Sequence, residues 1–178
     1  FRQYRDAVIN YLESRRLYLG QMDLNVNSPI VWEFYEDTLR KLAGYGAQLI
    51  RLDAFAYASK KPGARNFLND PETWDILSRI RTLAGKYNLA ILPEIHSSYE
   101  EKTHEALCAT GCMTYDFFFP GLLLDAFEHQ SFEYLLFWIN EILTQKLKVV
   151  NMLGCHDGIP LLDLKGLLPE ERIMEMVE

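Results

Sequence analysis

The sequence predicts an α/β protein built on parallel strands, and three observations lead there. Short apolar runs at 47–53, 89–94, 113–119 and 148–153 alternate with longer stretches of helical periodicity, the pattern of βαβ units. Three of these runs lead into a carboxylate, at Asp53, Glu94 and Asp157, with His96 and His156 beside the last two. No glycine-rich phosphate loop follows any run, so a dinucleotide-binding fold has no support.

The elements follow in chain order. Residues 1–16 place Tyr4, Ala7, Val8, Tyr11 and Leu12 at near-helical spacing, which predicts an amphipathic helix. Residues 18–27 read as a loop. Ser28-Pro29 reads as an N-cap followed by proline at the first helical position. Val31, Phe34, Tyr35, Leu39 and Leu42 then share a face up to Gly44, and a strand follows over 47–53. Residues 54–69 form a loop, and Asp70-Pro71-Glu72 opens a helix whose stripe is Trp74, Leu77, Ile80, Leu83 and Ala84. A strand over 89–94 is followed by a helix or partial helix from Ser97 to Ala109. Met113 to Phe119 reads as a strand closed by Pro120-Gly121, its aromatic run packing in a core rather than forming a sugar platform. Helices at 122–127 and 131–145, the second with a wide apolar face, precede the strand at 148–153. Within residues 160–178, Lys165 to Glu171 reads as a loop and a helix start.

Composition narrows the function classes. With 178 residues and 49% hydrophobic content the chain can bury a sizeable core. A net charge of −7 argues against a nucleic-acid partner, whose affinity would come from Lys and Arg on phosphates. No run of 18 apolar residues predicts a membrane span, and the Tyr- and Arg-rich start does not read as a signal peptide. The three cysteines, Cys108, Cys112 and Cys155, offer no paired framework and fit a reducing cytoplasmic setting as plain thiols. No second ligand pair accompanies Cys108 and Cys112, so no metal site is predicted.

The chemistry concentrates at the strand ends. In Ile50-Arg51-Leu52-Asp53, period-two alternation puts Arg51 and Asp53 on one face, and the cation favours an ionised carboxylate. An oriented, ionised aspartate can act as a nucleophile. The same pair could equally cap a buried strand. Glu94 follows Pro93 in an apolar run, where desolvation would raise its pKa and keep it protonated. Tyr57 could stack on a sugar or anchor its loop. A histidine beside an aspartate, as at His156-Asp157, is commonly a surface pair.

Taken together and in order, Gln21-Met22-Asp23-Leu24-Asn25, Arg51-Leu52-Asp53-Ala54-Phe55-Ala56-Tyr57, Leu92-Pro93-Glu94-Ile95-His96 and His156-Asp157-Gly158-Ile159 resemble the α-amylase superfamily of glycoside hydrolases, and within it the sucrose phosphorylase branch. The resemblance runs from about Leu17 to the C-terminus. It implies a partial (β/α)8 TIM barrel, about strands four to seven with their helices. A whole barrel needs roughly 250 residues, so the chain is expected to be an interior piece of a longer protein. Residues 1–178 would form this partial catalytic domain, with 158–178 beginning an excursion after the last catalytic strand. With barrel edges unpaired, the stretch alone is expected to be marginally stable.

The resemblance also implies roles. Asp53 would be the nucleophile, Glu94 the acid/base and Asp157 the third carboxylate. Arg51, His156, Tyr57 and His96 would bind substrate, His96 and Tyr57 on the acceptor side. The implied reaction is retaining glucosyl transfer from sucrose to phosphate, with no cofactor and no metal. Alternatives are phosphorylases acting on sucrose 6-phosphate or glucosylglycerate, or an α-glucosidase. Lys60, Lys61 and Arg65 are candidates for holding a substrate phosphate. An inactive fragment and a carbohydrate-binding module are the readings outside catalysis. Cys155 departs from the small polar residue usual before the histidine in the family.

Overall fold

The computed structural model describes residues 4–14, 23–60, 63 and 66–177. The helices are α1 (Arg5–Ser14), α2 (Pro29–Gly44), α3 (Glu72–Gly85), α4 (Thr103–Ala109), α5 (Phe119–Glu128), α6 (Glu133–Gln145) and α7 (Glu170–Glu175). The strands are β1 (Leu49–Leu52), β2 (Ala90–Pro93), β3 (Thr114–Asp116) and β4 (Val149–Asn151), and short 3₁₀ turns lie at Phe55–Tyr57, Tyr99–Glu101 and Leu161–Leu164.

All the pairing among the described strands is parallel. β1 pairs with β2 in the register Leu49 to Ala90 through Leu52 to Pro93. β3 pairs with β4, Thr114 opposite Val149 and Asp116 opposite Asn151. β2 lies against β3, yet no ladder of hydrogen bonds joins them among the described residues. The architecture is therefore α/β with two parallel strand pairs, and the C-terminal strand ends of each pair point the same way.

Two cores support these pairs. The first joins α2, β1, α3 and β2 through Trp32, Leu39, Leu77, Ile80 and Ile91. The second joins α5, α6 and the 160s through Phe118, Leu122, Leu135, Trp138 and Leu164. Buried side chains of this kind each contribute about 1.5–3 kcal/mol relative to exposure.

Several local expectations are corrected. Ser28 and Asp70 were expected to cap helices with their side chains, and neither does. Instead the Val31 N–H donates to the Ser28 carbonyl and the Thr73 N–H to the Asn69 carbonyl. The strand expected over 113–119 ends at Asp116, and Pro120-Gly121 lie in the first turn of α5 rather than closing a strand. Proline fits there because the first turn needs no N–H from it, and the chain must turn where Asp116 caps α5 by accepting the Phe119 N–H at 3.0 Å. The wide apolar face of α6 is only half used: Leu135 and Trp138 are buried, while Leu136, Phe137 and Leu143 are exposed. Likewise α1 exposes Val8 and Tyr11. Among the described residues no helix is long and apolar enough to cross a membrane.

Candidate active site

The centre of the site is built by β1 and β2. Arg51 lies in the last turn of the β1 ladder, and Asp53 stands one residue past its end. The Arg51 guanidinium bridges two carboxylates, with Nη1 at 2.7 Å from Asp53 Oδ1 and Nη2 at 2.7 Å from Glu94 Oε2. The alternation predicted from sequence is thus realised. The predicted Arg–Asp pair becomes a triad, because the β1–β2 register brings Glu94 alongside Asp53.

The backbone locks this junction from both sides. Glu94 N–H donates to the Leu52 carbonyl at 2.9 Å, and Phe55 N–H donates to the Glu94 carbonyl at 3.0 Å. Ala54 adopts a left-handed conformation (φ 45°, ψ 40°), which is costly for a residue with a Cβ. That conformation aims the Ala54 N–H at Glu94 Oε2, 3.0 Å away. No side-chain pattern announced this donor.

Asp53 and Glu94 differ sharply in environment. The Asp53 side chain is 74% exposed and that of Glu94 11%. The expectation that Glu94 rests protonated is corrected. Burial does push its carboxyl up, but the Ala54 N–H, the Arg51 guanidinium and the charge of His96 together outweigh it and hold it below the ordinary glutamate value. Glu94 is a carboxylate in this arrangement.

Beyond Glu94, His96 stacks on Phe117, their ring centroids 3.9 Å apart. Its Nδ1 lies 3.0 Å from Asp163 Oδ2. That hydrogen bond raises the His96 pKa against the opposing effect of burial, and the charges of Asp163, Glu94 and Asp157 add to the rise. His96 therefore sits within electrostatic reach of two predicted site carboxylates. Asp163 and Phe117 were not singled out from sequence. Asp163 precedes the loop that begins at Lys165, in a stretch with no motif of its own, and Phe117 lies in a run read as core.

His156 and Asp157 stand on a turn closed by reciprocal hydrogen bonds between Cys155 and Gly158, each 3.0 Å. Their side chains are 74% and 67% exposed, and His156 Nε2 lies 3.4 Å from Asp157 Oδ2. Here His156 partners Asp157 rather than the Arg51 cluster. Cys155, His156 and Asp157 also bring one potential ligand atom each within 4.8 Å of one another, as adjacent exposed residues on a turn readily do.

Tyr57 shares a cavity of about 730 Å³ with Arg51, Asp53, Lys60 and Asp23. Its ring meets Phe67 edge-on at 5.3 Å, yet half of the residue remains exposed, so the loop-anchor and sugar-facing readings coexist in one side chain. Lys60 is paired with Asp23 at 3.1 Å, which brings the upstream motif to the mouth of the same cavity. The rest of that cavity is mostly apolar, lined by Leu39, Leu42 and Ile50 along the edge of β1 that pairs with no strand among the described residues. Only its polar mouth belongs to the site. Gln21, Met22, Lys61 and Arg65 lie outside the described residues.

Comparison with known proteins bears on this geometry. The chain is 51% identical over 175 residues to a sucrose 6(F)-phosphate phosphorylase from Ilumatobacter coccineus, covering 95% of this chain and 34% of that protein. The chain is homologous to the sucrose phosphorylases. It is also 35% identical over 153 residues to a sucrose phosphorylase from Streptococcus mutans, covering 86% of this chain and 31% of that protein. Among solved structures, a sucrose 6F-phosphate phosphorylase from Thermoanaerobacter thermosaccharolyticum superposes with a TM-score of 0.78 at 32% identity, covering 90% of this chain and 33% of that one. No family model matches the chain. The chain spans about a third of the length of the curated relatives it matches. The relationship implied by the four motifs is the one the comparisons return.

Proposed function

We propose that this chain supplies the catalytic carboxylates of a retaining α-glucoside phosphorylase. β1 to β4 are read as consecutive strands of a (β/α)8 barrel, about the fourth to the seventh, with residues 1–178 forming part of one catalytic domain and 158–178 an excursion from its C-terminal face. The observation that carries the reading is the single Arg51 guanidinium bridging Asp53 and Glu94. Two carboxyl groups close enough to share one guanidinium suit a retaining pair, which needs a separation of roughly 5–5.5 Å.

In this reading Asp53 attacks the anomeric carbon of the bound glucosyl unit. The bond to the leaving oxygen breaks as Glu94 gives that oxygen a proton, and a glucosyl–Asp53 ester remains. Phosphate then attacks the same carbon while Glu94 takes its proton and the ester bond breaks, giving α-glucose 1-phosphate. Glu94 rests in the base form. Substrate arriving at the pair excludes water from Glu94 and draws Arg51 toward Asp53, and both changes raise the glutamate into its acid form. Asp157 and His156 close over the sugar hydroxyls, where the Asp157 charge stabilises the oxocarbenium-like transition state. Tyr57 and His96 face the acceptor.

Among donors, sucrose 6-phosphate stands ahead of sucrose, because the relative at 51% identity is a sucrose 6(F)-phosphate phosphorylase and the sucrose phosphorylase from S. mutans stands at 35%. The test is release of glucose 1-phosphate from sucrose 6-phosphate and from sucrose, by a protein carrying this chain at the full length of its relatives. Phosphate-dependent release, higher with the phosphorylated donor, is expected. Glucose release indifferent to phosphate would replace this reading with a hydrolase.

A further inference from the structure

His96 is held in an unusual frame for a strand-end histidine. One face of its ring stacks on Phe117 at 3.9 Å, at an interplanar angle of 25°. Its Nδ1 meets the buried carboxylate of Asp163 at 3.0 Å. Asp163 lies in the 3₁₀ turn Leu161–Leu164, and the neighbouring Leu164 is fully buried in the second core. The turn is pinned there by close packing: a Cβ on Gly121 would collide with the Leu164 side chain. The backbone adds Asp163 N–H to the Pro160 carbonyl at 3.1 Å. Asp163 is therefore a fixed point, anchored in one core, that reaches across to a side chain just past the strand β2 of the other.

The chemistry of that contact decides what His96 can do. A carboxylate only accepts, so Nδ1 carries the proton toward Asp163. The remaining ring nitrogen, Nε2, is left for a ligand. Asp163 stabilises positive charge on the ring, and in the protonated ring Nε2 is a donor as well. A free strand-end histidine would flip, and would offer either a donor or an acceptor.

We infer that Asp163 is a positioning residue. It fixes the ring orientation of His96 and makes its Nε2 a hydrogen-bond donor toward an acceptor oxygen beside Glu94, so that the segment after His156-Asp157 couples acceptor binding to the β2 strand end. The inference rests on the proposed function for its substrate, but not for its geometry. The juxtaposition also explains why the segment after the last strand returns to the site. Its sequence, Pro160-Leu161-Leu162-Asp163-Leu164, sets one carboxylate between an exposed Leu162 and a fully buried Leu164.

The test uses the full-length protein carrying this chain, with Asp163→Asn, Asp163→Ala, His96→Ala and the double variant. Asp163→Asn keeps an acceptor for Nδ1 and loses the charge, so it also serves where Asp163→Ala fails to fold. Loss of a charged hydrogen bond corresponds to about a 10- to 100-fold change. In Asp163→Ala the KM for phosphate is expected to rise about tenfold or more, at the low end of that range, with a smaller change in kcat. Asp163→Asn should fall between wild type and Asp163→Ala. In the His96→Ala background Asp163→Ala should add little. The second readout is the titration of His96 by NMR. The groups facing it are Asp163, Glu94 and Asp157, with Glu101 facing Asp163 from its other side. Removing Asp163 should lower the His96 midpoint, and the nitrogen shifts should lose the fixed Nδ1–H. An unchanged His96 titration in both Asp163 variants, or effects that add fully to those of His96→Ala, would overturn the inference. If the wild type releases no glucosyl phosphate from any donor, the functional reading falls, and the NMR titration still decides the role of Asp163.

Discussion

Two strand pairs of this protein end in aspartates, and the two aspartates have opposite fates. Asp53, one residue past β1, is 74% exposed at its side chain and pairs, among the described residues, with Arg51. Asp116, the last residue of β3, is completely buried. It accepts hydrogen bonds from Trp138 Nε1 at 3.0 Å, from the Phe119 N–H at 3.0 Å and from Asn151 Nδ2 at 3.1 Å. The first presents a free oxygen to a cavity. The second ties β3, β4, α5 and α6 into one block and has no capacity left for a ligand. An apolar strand ending in Asp is therefore not itself a catalytic signature; what separates the two is the donors that the next elements bring.

The contrast is sharpened first at Asp53. Asp53→Asn should abolish phosphate-dependent turnover, by on the order of 10⁴-fold or more, while leaving the melting temperature nearly unchanged. Because its side chain is exposed, a large stability loss in this variant would break the comparison.

Arg51 comes next, since it links the two carboxylates. Arg51→Met should reduce kcat/KM about 10²- to 10³-fold, the scale seen when one preorganised electrostatic partner is lost. Glu94 would lose a group that holds its pKa down, so the limb of the pH–rate profile that reports its deprotonation should move to higher pH. A limb that stays in place would mean that the Ala54 N–H and the charge of His96, without Arg51, hold Glu94 down.

At Asp116 the expectation reverses. Asp116→Ala leaves the buried Trp138 indole N–H unpaired, frees Asn151 and should cost about 3 kcal/mol of stability by denaturant unfolding. Loss of activity in that variant should track loss of folded protein.

These cases show how far the sequence could be read. The helix and strand order was legible, because the apolar periods of 3.6 and 2 switch cleanly along the chain. The Arg51–Asp53 pairing was legible because period-two alternation is a local rule, whereas Glu94's approach to it depends on the β1–β2 register, which joins distant residues. Glu94's charge state was not, because it depends on an Ala54 backbone in the left-handed region and on a guanidinium from another strand. Asp163 was invisible for the same reason: its partner His96 is 67 residues away. Asp116 went unremarked inside an aromatic run whose only visible message was packing.

A smaller effect distinguishes the second core. His104 is buried against Tyr99, Phe118 and Trp138, and neither ring nitrogen has a hydrogen-bond partner. Burial lowers its pKa from 6.5 to about 4. The unfolded chain therefore binds a proton that the folded chain refuses between those values. Stability should fall as pH drops from about 6.5 to about 4, by on the order of 3 kcal/mol, and level off for this group below that. His104→Phe should flatten that part of the stability–pH curve, and an unaltered slope would assign acid sensitivity elsewhere.

The smallest effect is expected at the cavity mouth. Lys60→Ala removes an exposed pair with Asp23 and should change stability by less than about 1 kcal/mol. A large selective loss of activity toward the phosphorylated donor would instead make Lys60 part of the substrate's phosphate site.

The most direct test of the account is to trap the covalent intermediate. Full-length protein bearing Glu94→Gln would be mixed with α-glucosyl fluoride, whose leaving group needs no acid, and digested for peptide mass mapping. The base that releases the ester is then absent, so the account predicts one glucosyl adduct on the peptide that contains Asp53. An adduct on another carboxylate, or none while fluoride is released at the wild-type rate, would contradict the assignment of Asp53 as nucleophile and Glu94 as acid/base.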